Sequence, residues 1–201
     1  MTGWHYEDDR VRIRKLCVGA YENNVYVVAD ARSTAAVVVD AAAEPDRIAA
    51  AVADLAPIAL LTTHGHFDHV GAAAAVSHRL GIPFLLHPAD IGIAGMEPDH
   101  PLEPGEITVG ELVLGAVHTP GHTPGSMCFV AGAVVLTGDT LFPGGPGATH
   151  GNSASFTQII DSIERHLFTL PAETLVMPGH GLDTTIGAET PSLDEWVRRG
   201  R

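Results

Sequence analysis

The sequence predicts an α/β fold in which two β-sheets pack together with helices outside them. Short β-branched apolar runs recur in both halves of the 201-residue chain, each bounded by Gly, Pro, Asn or Asp. Each half also carries stretches of helical character, which implies two similar β-rich layers rather than one long sheet. Four of the apolar runs lead directly into His or Asp residues, so the strand ends are also where chemistry is expected.

In chain order, residues 11–18, 24–29 and 35–40 read as an opening antiparallel meander. Residues 44–55 read as a helix and 58–62 as the strand after it. A helix is expected over 68–80, with Asp68 near its N-terminus and Gly81 as the stop signal. Residues 82–86 form another expected strand. The second half repeats the theme, with strands at 111–117, 127–131 and 133–137, a helix at 153–167 and a strand at 174–177. A last helix spans 191–199, with proline in its first turn. The halves share too little identity to be called a repeat. No linker divides the chain, so residues 1–201 read as a single domain. The Gly/Pro-rich stretch 143–151 follows a strand directly and reads as a functional loop.

Composition narrows the function. Hydrophobic residues make up 45% of the chain, enough for an ordinary interior, yet no run approaches the eighteen or so residues of a membrane span. The N-terminal stretch through Asp9 is acidic and lacks the apolar core of a signal peptide, so a cytoplasmic location is expected. Net charge is -13, and Lys15 is the one lysine. Arg10, Arg12, Arg14 and Lys15 cluster near the start, but such a chain repels nucleic acid as a whole. Cys17 and Cys128 lie in apolar strand-like runs without a CxxC pair and read as buried, reduced thiols.

The most informative segment is Thr62-Thr63-His64-Gly65-His66-Phe67-Asp68-His69. It places three imidazoles and a carboxylate within six residues, directly after the apolar run Ile58-Ala59-Leu60-Leu61. Such groups leave water at a cost unless they are paired or bind a metal. A solvated His-rich loop is the plain alternative, but the downstream chain supplies partners in order. One strand leads through His118-Thr119-Pro120-Gly121 to His122, one through Gly138 to Asp139, and one through Pro178-Gly179 to His180. His64 and His66 are one residue apart, so in extended backbone both can point the same way, while His69 leaves on another bearing. His118 reads as loop packing, with a supporting bond to a ligand as its alternative. His150 reads as a loop residue that could face substrate. His5, His78, His87, His100 and His166 read as surface or packing residues. The glycines at 144–147 are no phosphate loop, because no Gly-Lys-Ser/Thr follows them.

This ordered set resembles the metallo-β-lactamase superfamily, whose pattern is HxHxDH followed by His, Asp and His. The resemblance covers nearly the whole chain. Within that superfamily, Thr63-His64-Gly65-His66-Phe67-Asp68-His69, Thr119-Pro120-Gly121-His122-Thr123 and Gly138-Asp139-Thr140-Leu141-Phe142 are most similar to the glyoxalase II-like (hydroxyacylglutathione hydrolase-like) thioester hydrolases. It implies an αββα sandwich, two mixed β-sheets flanked by helices, with the site at one edge of the paired sheets. It also implies two divalent cations: one on His64, His66 and His122, the other on Asp68, His69 and His180, with Asp139 bridging them. Imidazole plus carboxylate suits zinc, and iron or manganese is also compatible. Two bound cations would offset part of the formal negative charge.

The implied reaction is hydrolysis of a thioester of a small thiol, with S-lactoylglutathione as the family's reference substrate. Two such cations can lower the pKa of a shared water toward about 7. The bridging hydroxide would attack the carbonyl carbon while Asp68 holds it in line and accepts its proton. Departures from the family pattern bear on the substrate. Only 21 residues follow His180, ending in Trp196, Arg198, Arg199 and Arg201, so no helical C-terminal domain that grips glutathione is expected. The Gly-Arg-x-Asp stretch common after Gly-Asp-Thr-Leu-Phe is replaced by Gly147-Ala148-Thr149-His150. A different small thiol, or an unrelated ester or lactone, stays open; candidate substrate contacts are Phe142, Gly145 and His150. The alternative enzyme is a mono-iron persulfide dioxygenase using His64, His122 and Asp139. A β-lactamase fits poorly with Asp139 at the bridging position. A homoserine-lactone hydrolase would carry a later tyrosine, whereas Tyr6, Tyr21 and Tyr26 all lie early; a nuclease would need a basic surface. A non-catalytic member would have lost ligands, and none is missing. The sequence does not specify an oligomeric state.

Overall fold

The computed structural model describes residues 3–200. Met1 and Thr2, the start of the acidic stretch read for a leader, and Arg201 lie outside the described residues. The first sheet runs in chain order: β1 (Tyr6–Glu7), β2 (Val11–Val18), β3 (Asn23–Asp30), β4 (Ala35–Val39), β5 (Ala56–Leu61), β6 (Phe84–Leu86) and β7 (His100–Pro101). Its first four strands are antiparallel and its last four parallel, with β4 in both groups. The second half contributes β8 (Gly105–Val109), β9 (Leu112–His118), β10 (Met127–Ala131) and β11 (Val134–Gly138). A small hairpin, β12 (Leu141–Phe142) with β13 (Gly145–Pro146), follows, and then β14 (Leu175–Pro178) and β15 (Thr184–Thr185). Its sheet has the order β15-β14-β11-β10-β9-β8, with β11 and β14 parallel and the rest antiparallel.

Strand periodicity sorts the side chains into layers. Along β3, Tyr26 and Val28 point into the core between the sheets, where they meet Leu114, Met127, Phe129 and Leu136 from the second sheet. Val25 and Val27 point the other way, under Ile48 of α1 (Pro45–Ala51) and Val76 of α3 (Ala73–Leu80). Every residue of β3 is buried because both faces of its sheet are covered. On the far side Cys128, Val135 and Val176 pack against Phe156, Ile159 and Ile163, and Trp196 closes this third cluster. These residues come from α5 (Ser153–Ser162), the turn after it, and α7 (Leu193–Arg199). The two sheets are mixed and flanked by helices, as expected.

The boundaries differ where tertiary contacts override local propensity. The helix expected over 44–55 stops at Ala51, because the Arg14 guanidinium takes the Ala51 carbonyl at 2.5 Å and the Asp54 carboxylate at 2.7 Å. The helix expected over 68–80 is two helices, α2 (Phe67–Val70) and α3. Ala41 N donates to His69 O and Ala72 N donates to Ala41 O, so a crossing strand end replaces the helical bonds at that point. The helix at 153–167 widens into a π-type turn over Ile163–Leu167, and Thr190–Ser192 is a tight turn leading into α7. Strand β8 and the short helices α4 (Ile91–Ala94) and α6 (Ile186–Glu189) were not expected; the helices are four residues each, and β8 is an edge strand in which Val109 alone is buried. Cys128 is buried, but Cys17, which follows Ile13 and Lys15 on the same face of β2, is exposed. Among the described residues no helix is long and apolar enough to cross a membrane.

Candidate metal centre

The strand ends gather at one edge of the sandwich. After β5 the buried Thr62 and Thr63 carry the chain outward, and Thr63 is clamped by Asp40 just beyond β4. Its N–H donates to Asp40 Oδ1 at 2.7 Å and its hydroxyl to Asp40 Oδ2 at 2.8 Å. Thr63 O accepts from Met127 N at 2.7 Å, which ties this loop to the second sheet. The buried Asp90 accepts from Gly65 N, Thr123 Oγ1 and Gly125 N, each at 2.7 Å, and so locks the His64 loop to the His122 loop. Asn24 N donates to Gly179 O at 2.7 Å and fixes the turn that bears His180.

Two donor sets result. His64 Nε2 and His122 Nε2 each lie 3.0 Å from His66 Nδ1. In the second set His69 Nε2 and His180 Nε2 are 3.3 Å apart, and Asp68 Oδ2 lies 3.4 Å from His180 Nε2 and 3.8 Å from His69 Nε2. Asp139 stands between the sets: Oδ1 is 3.4 Å from His69 Nε2, and Oδ2 is 3.7 Å from both His122 Nε2 and His180 Nε2. Every residue expected to ligate a metal is thus brought together.

On four of the five histidines, His66 being the exception with Nδ1 turned inward, the nitrogen that faces away from the centre is already bonded. His69 Nδ1 meets Asp40 Oδ2 at 2.8 Å, His122 Nδ1 meets Ala148 O at 2.8 Å, and His180 Nδ1 meets Tyr21 O at 3.0 Å. His64 Nδ1 lies 3.1 Å from Thr63 Oγ1, whose own proton goes to Asp40. These acceptors fix the proton on Nδ1 and leave the Nε2 lone pair facing inward. Within the first set, three nitrogens at 3.0 Å converge where a single proton can satisfy only one pair. Asp139 Oδ1 is buried without a hydrogen-bond partner. A Cβ on Gly179 would approach Asp139 Oδ1 and His69 Cε1 to under 3.0 Å, so only glycine admits this crowding. The donor set fits divalent cations and leaves an orphaned oxygen without them.

The electrostatics agree. Burial, then the neighbouring His69 and His122, hold His64 well below the ordinary imidazole range. His66 is lowered by burial and by His122. Burial also works against charge on His69, but Asp40, Asp139 and Asp68 together raise it to about 9. Three carboxylates thus call for a positive charge at His69, which a proton or a cation can supply. Asp68 is raised by burial yet ends lower than usual, because Asn23 donates to it and His69 and His180 stand beside it.

Sequence reading missed Asp40, Asn23 and Asp90. Asp40 adopts a left-handed φ of 62°, which aims its carboxylate back at Thr63 and His69; its only signal was an acid ending a buried apolar run. Asn23 Nδ2 donates to Asp68 Oδ2 at 3.1 Å. His118 packs in its loop as expected, bonded to Pro124 O at 2.8 Å and stacked on His87 at 4.3 Å. Phe142 lies beside the centre, its ring 6.4 Å from that of His180. Gly145 is buried in the hairpin toward Trp196, and His150 is exposed with a φ of 51°.

Residues 18–180 match the family profile of the metallo-beta-lactamase superfamily. The chain is 32% identical over 205 residues to hydroxyacylglutathione hydrolase GloC of Haemophilus influenzae, covering 90% of this chain and 96% of that protein. The crystal structure of TTHA1623 in a di-iron-bound form is similar at a TM-score of 0.78 and 36% identity, covering 88% of this chain and 96% of the other. The structure of ETHE1 from Myxococcus xanthus is similar at 0.79 and 32%, covering 94% and 89%. With the αββα layers and ordered donor sets already in place, the chain belongs to the metallo-beta-lactamase superfamily and is a metal-dependent hydrolase of that superfamily.

Proposed function

We propose that this chain hydrolyses a thioester of a small thiol at a two-cation centre. One cation is held by His64, His66 and His122, the other by Asp68, His69 and His180, and Asp139 is shared between them. The observation that carries the reading is the pair of donor sets facing each other across Asp139, whose buried Oδ1 has no hydrogen-bond partner. The imidazole-rich first set suits zinc, and the more oxygen-rich second set also accepts iron or manganese. Similarity to GloC supports a thioester as the substrate class.

When bound, such cations polarise a carbonyl oxygen and lower the pKa of water toward about 7. Asp68 is ionised, half-buried and oriented by Asn23, so its free lone pairs can align an attacking water and accept its proton. The bonds to Asp40, Ala148 O and Tyr21 O keep the imidazoles from turning, which holds that water's surroundings rigid. A thiol leaving group has a pKa near about 8.5 and departs as thiolate without a strong general acid. Phe142, at the edge of the centre, is the candidate wall for substrate, with Gly145 and His150 shaping the loop beyond it.

Elemental analysis of the purified protein, paired with a panel of thioesters, esters and persulfides, tests this. The expected result is two ions per chain and thioester turnover that a chelator abolishes. One iron per chain with oxygen consumption on a persulfide would overturn it in favour of a dioxygenase. Efficient turnover of lactoylglutathione would instead refute the inference, from Gly147-Ala148-Thr149-His150 standing in place of Gly-Arg-x-Asp, that the thiol is a different one.

A further inference from the structure

A groove of about 410 Å³ opens beside Asp68, on the side of the centre formed by the β2–β3 turn, α1 and the α2–α3 corner. Its walls are Ala43, Pro45, Phe67, Ala75 and Tyr21, and it reaches the centre at Asn23 and Asp68. Tyr21 and Phe67 meet edge to face at 5.4 Å, yet they are 62% and 65% exposed. Large aromatic side chains held in contact with each other but open to water at the mouth of a site mark a surface that gains by being covered. The charges lining the groove are acidic: Asp68 itself, and Glu44, which is committed to Gly19 N at 2.8 Å and Arg47 at 3.1 Å. No cation lines the groove among the described residues to hold an anionic group.

We propose that this groove is the specificity subsite, binding an uncharged apolar substituent carried next to the scissile carbonyl. The proposal rests on the hydrolase reading above and adds the chemistry of what is recognised. Continuity decides the occupant: Asn23 and Asp68 are shared by groove and centre, so a carbonyl placed at Asp68 sends one of its two substituents along the Tyr21–Phe67 wall. No lining group offers an acidic substituent a counter-charge, and the alanine and proline floor offers an alkyl or aryl group contact without hydrogen-bonding demands.

The test uses N-acetylcysteamine thioesters with acetyl, butyryl, hexanoyl and succinyl groups, beside acetyl thioesters of ethyl, butyl and hexyl thiols, on the metal-loaded protein. Each methylene that enters the groove should raise kcat/KM about fourfold, the transfer value of a buried methylene. Where the acyl series shows the gain, succinyl should be its poorest substrate. A gain in the acyl series or in the thiol series supports the proposal and tells which side of the carbonyl lies in the groove. Flat responses in both would overturn it. Ala75 is exposed on α3 and outside the donor sets, so Ala75→Phe should fill the groove. That variant should lose the chain-length gain, with Ala75→Leu as the milder fill if the first variant melts early. Calorimetry with the non-hydrolysable S-hexyl-N-acetylcysteamine thioether reads the groove without turnover: wild type should bind it at least tenfold more tightly than Ala75→Phe, and equal affinity would overturn the proposal. If no thioester is turned over but this difference holds, the thioesterase reading fails while the groove stands.

Discussion

Asp40→Asn separates support of the metal centre from ligation itself. Asp40 is 1% exposed and its carboxylate accepts three bonds, from Thr63 N at 2.7 Å, Thr63 Oγ1 at 2.8 Å and His69 Nδ1 at 2.8 Å. Asparagine keeps the volume but must turn an NH2 toward one of these donors and removes the charge facing His69. A hydrogen bond to a charged acceptor contributes about 1.5–3 kcal/mol, which corresponds to a loss of about 10–100-fold in affinity for the ion at Asp68, His69 and His180. The His64, His66 and His122 set touches Asp40 only through Thr63, so its affinity should fall less. Titration against a chromophoric chelator resolves the two binding steps. Wild-type affinity in both steps, or equal loss in both, would refute the assignment of Asp40 as the positioning residue of one set.

Three further outcomes follow from the same geometry. In the cation-free protein His69 is raised from 6.5 to about 9, so the stability from its charge is fully present below about 6.5 and is lost as pH rises through 9. That difference corresponds to about 3 kcal/mol, so the melting midpoint of chelated protein should fall between pH 6.5 and 9, whereas a bound cation should flatten the curve. His64 and His66 are lowered, so they act in the opposite sense and stability is also lost as pH falls below about 6.5. A monotonic profile would contradict this balance. Asp68→Asn should lower kcat about 10²–10⁴-fold while the ion on the His64 set is retained by elemental analysis; loss of both ions would make Asp68 a structural keystone instead. Burial raises the Cys128 thiol to about 11 while Cys17 is exposed. Alkylation of native protein at pH 8 should therefore modify one thiol, and mass mapping should place it at Cys17.

The layering and the donor residues that the fold brings together were legible in the chain because both are local. A strand with both faces covered reads as a continuous apolar run, and residues 25–28 show it directly. A converging donor set is legible when its members follow strand ends in order, as His64–His69, His122, Asp139 and His180 do. Sequence reading also foresaw that His118 packs in its loop. What remained hidden depends on atoms distant in sequence. The break between α2 and α3 exists because Ala41 inserts its backbone between them, and α1 ends where Arg14 claims a carbonyl. No pattern within 44–55 or 68–80 encodes those partners.

The same division runs through the site. Residue types and spacing determined by themselves that metal-grade donors would gather at strand ends, since a buried imidazole or carboxylate must be paired or bound. Only the tertiary structure decided which nitrogen of His64, His69, His122 and His180 faces inward. That choice rests on Asp40, Thr63, Ala148 O and Tyr21 O, acceptors brought by other strands and loops. It also decided that the ground beside Asp68 is an apolar groove, because Tyr21, Ala43, Phe67 and Ala75 are unremarkable residues until the fold sets them along one wall. Hydrogen-bond direction and surface shape arise between segments, and a linear sequence carries them only through the fold it specifies.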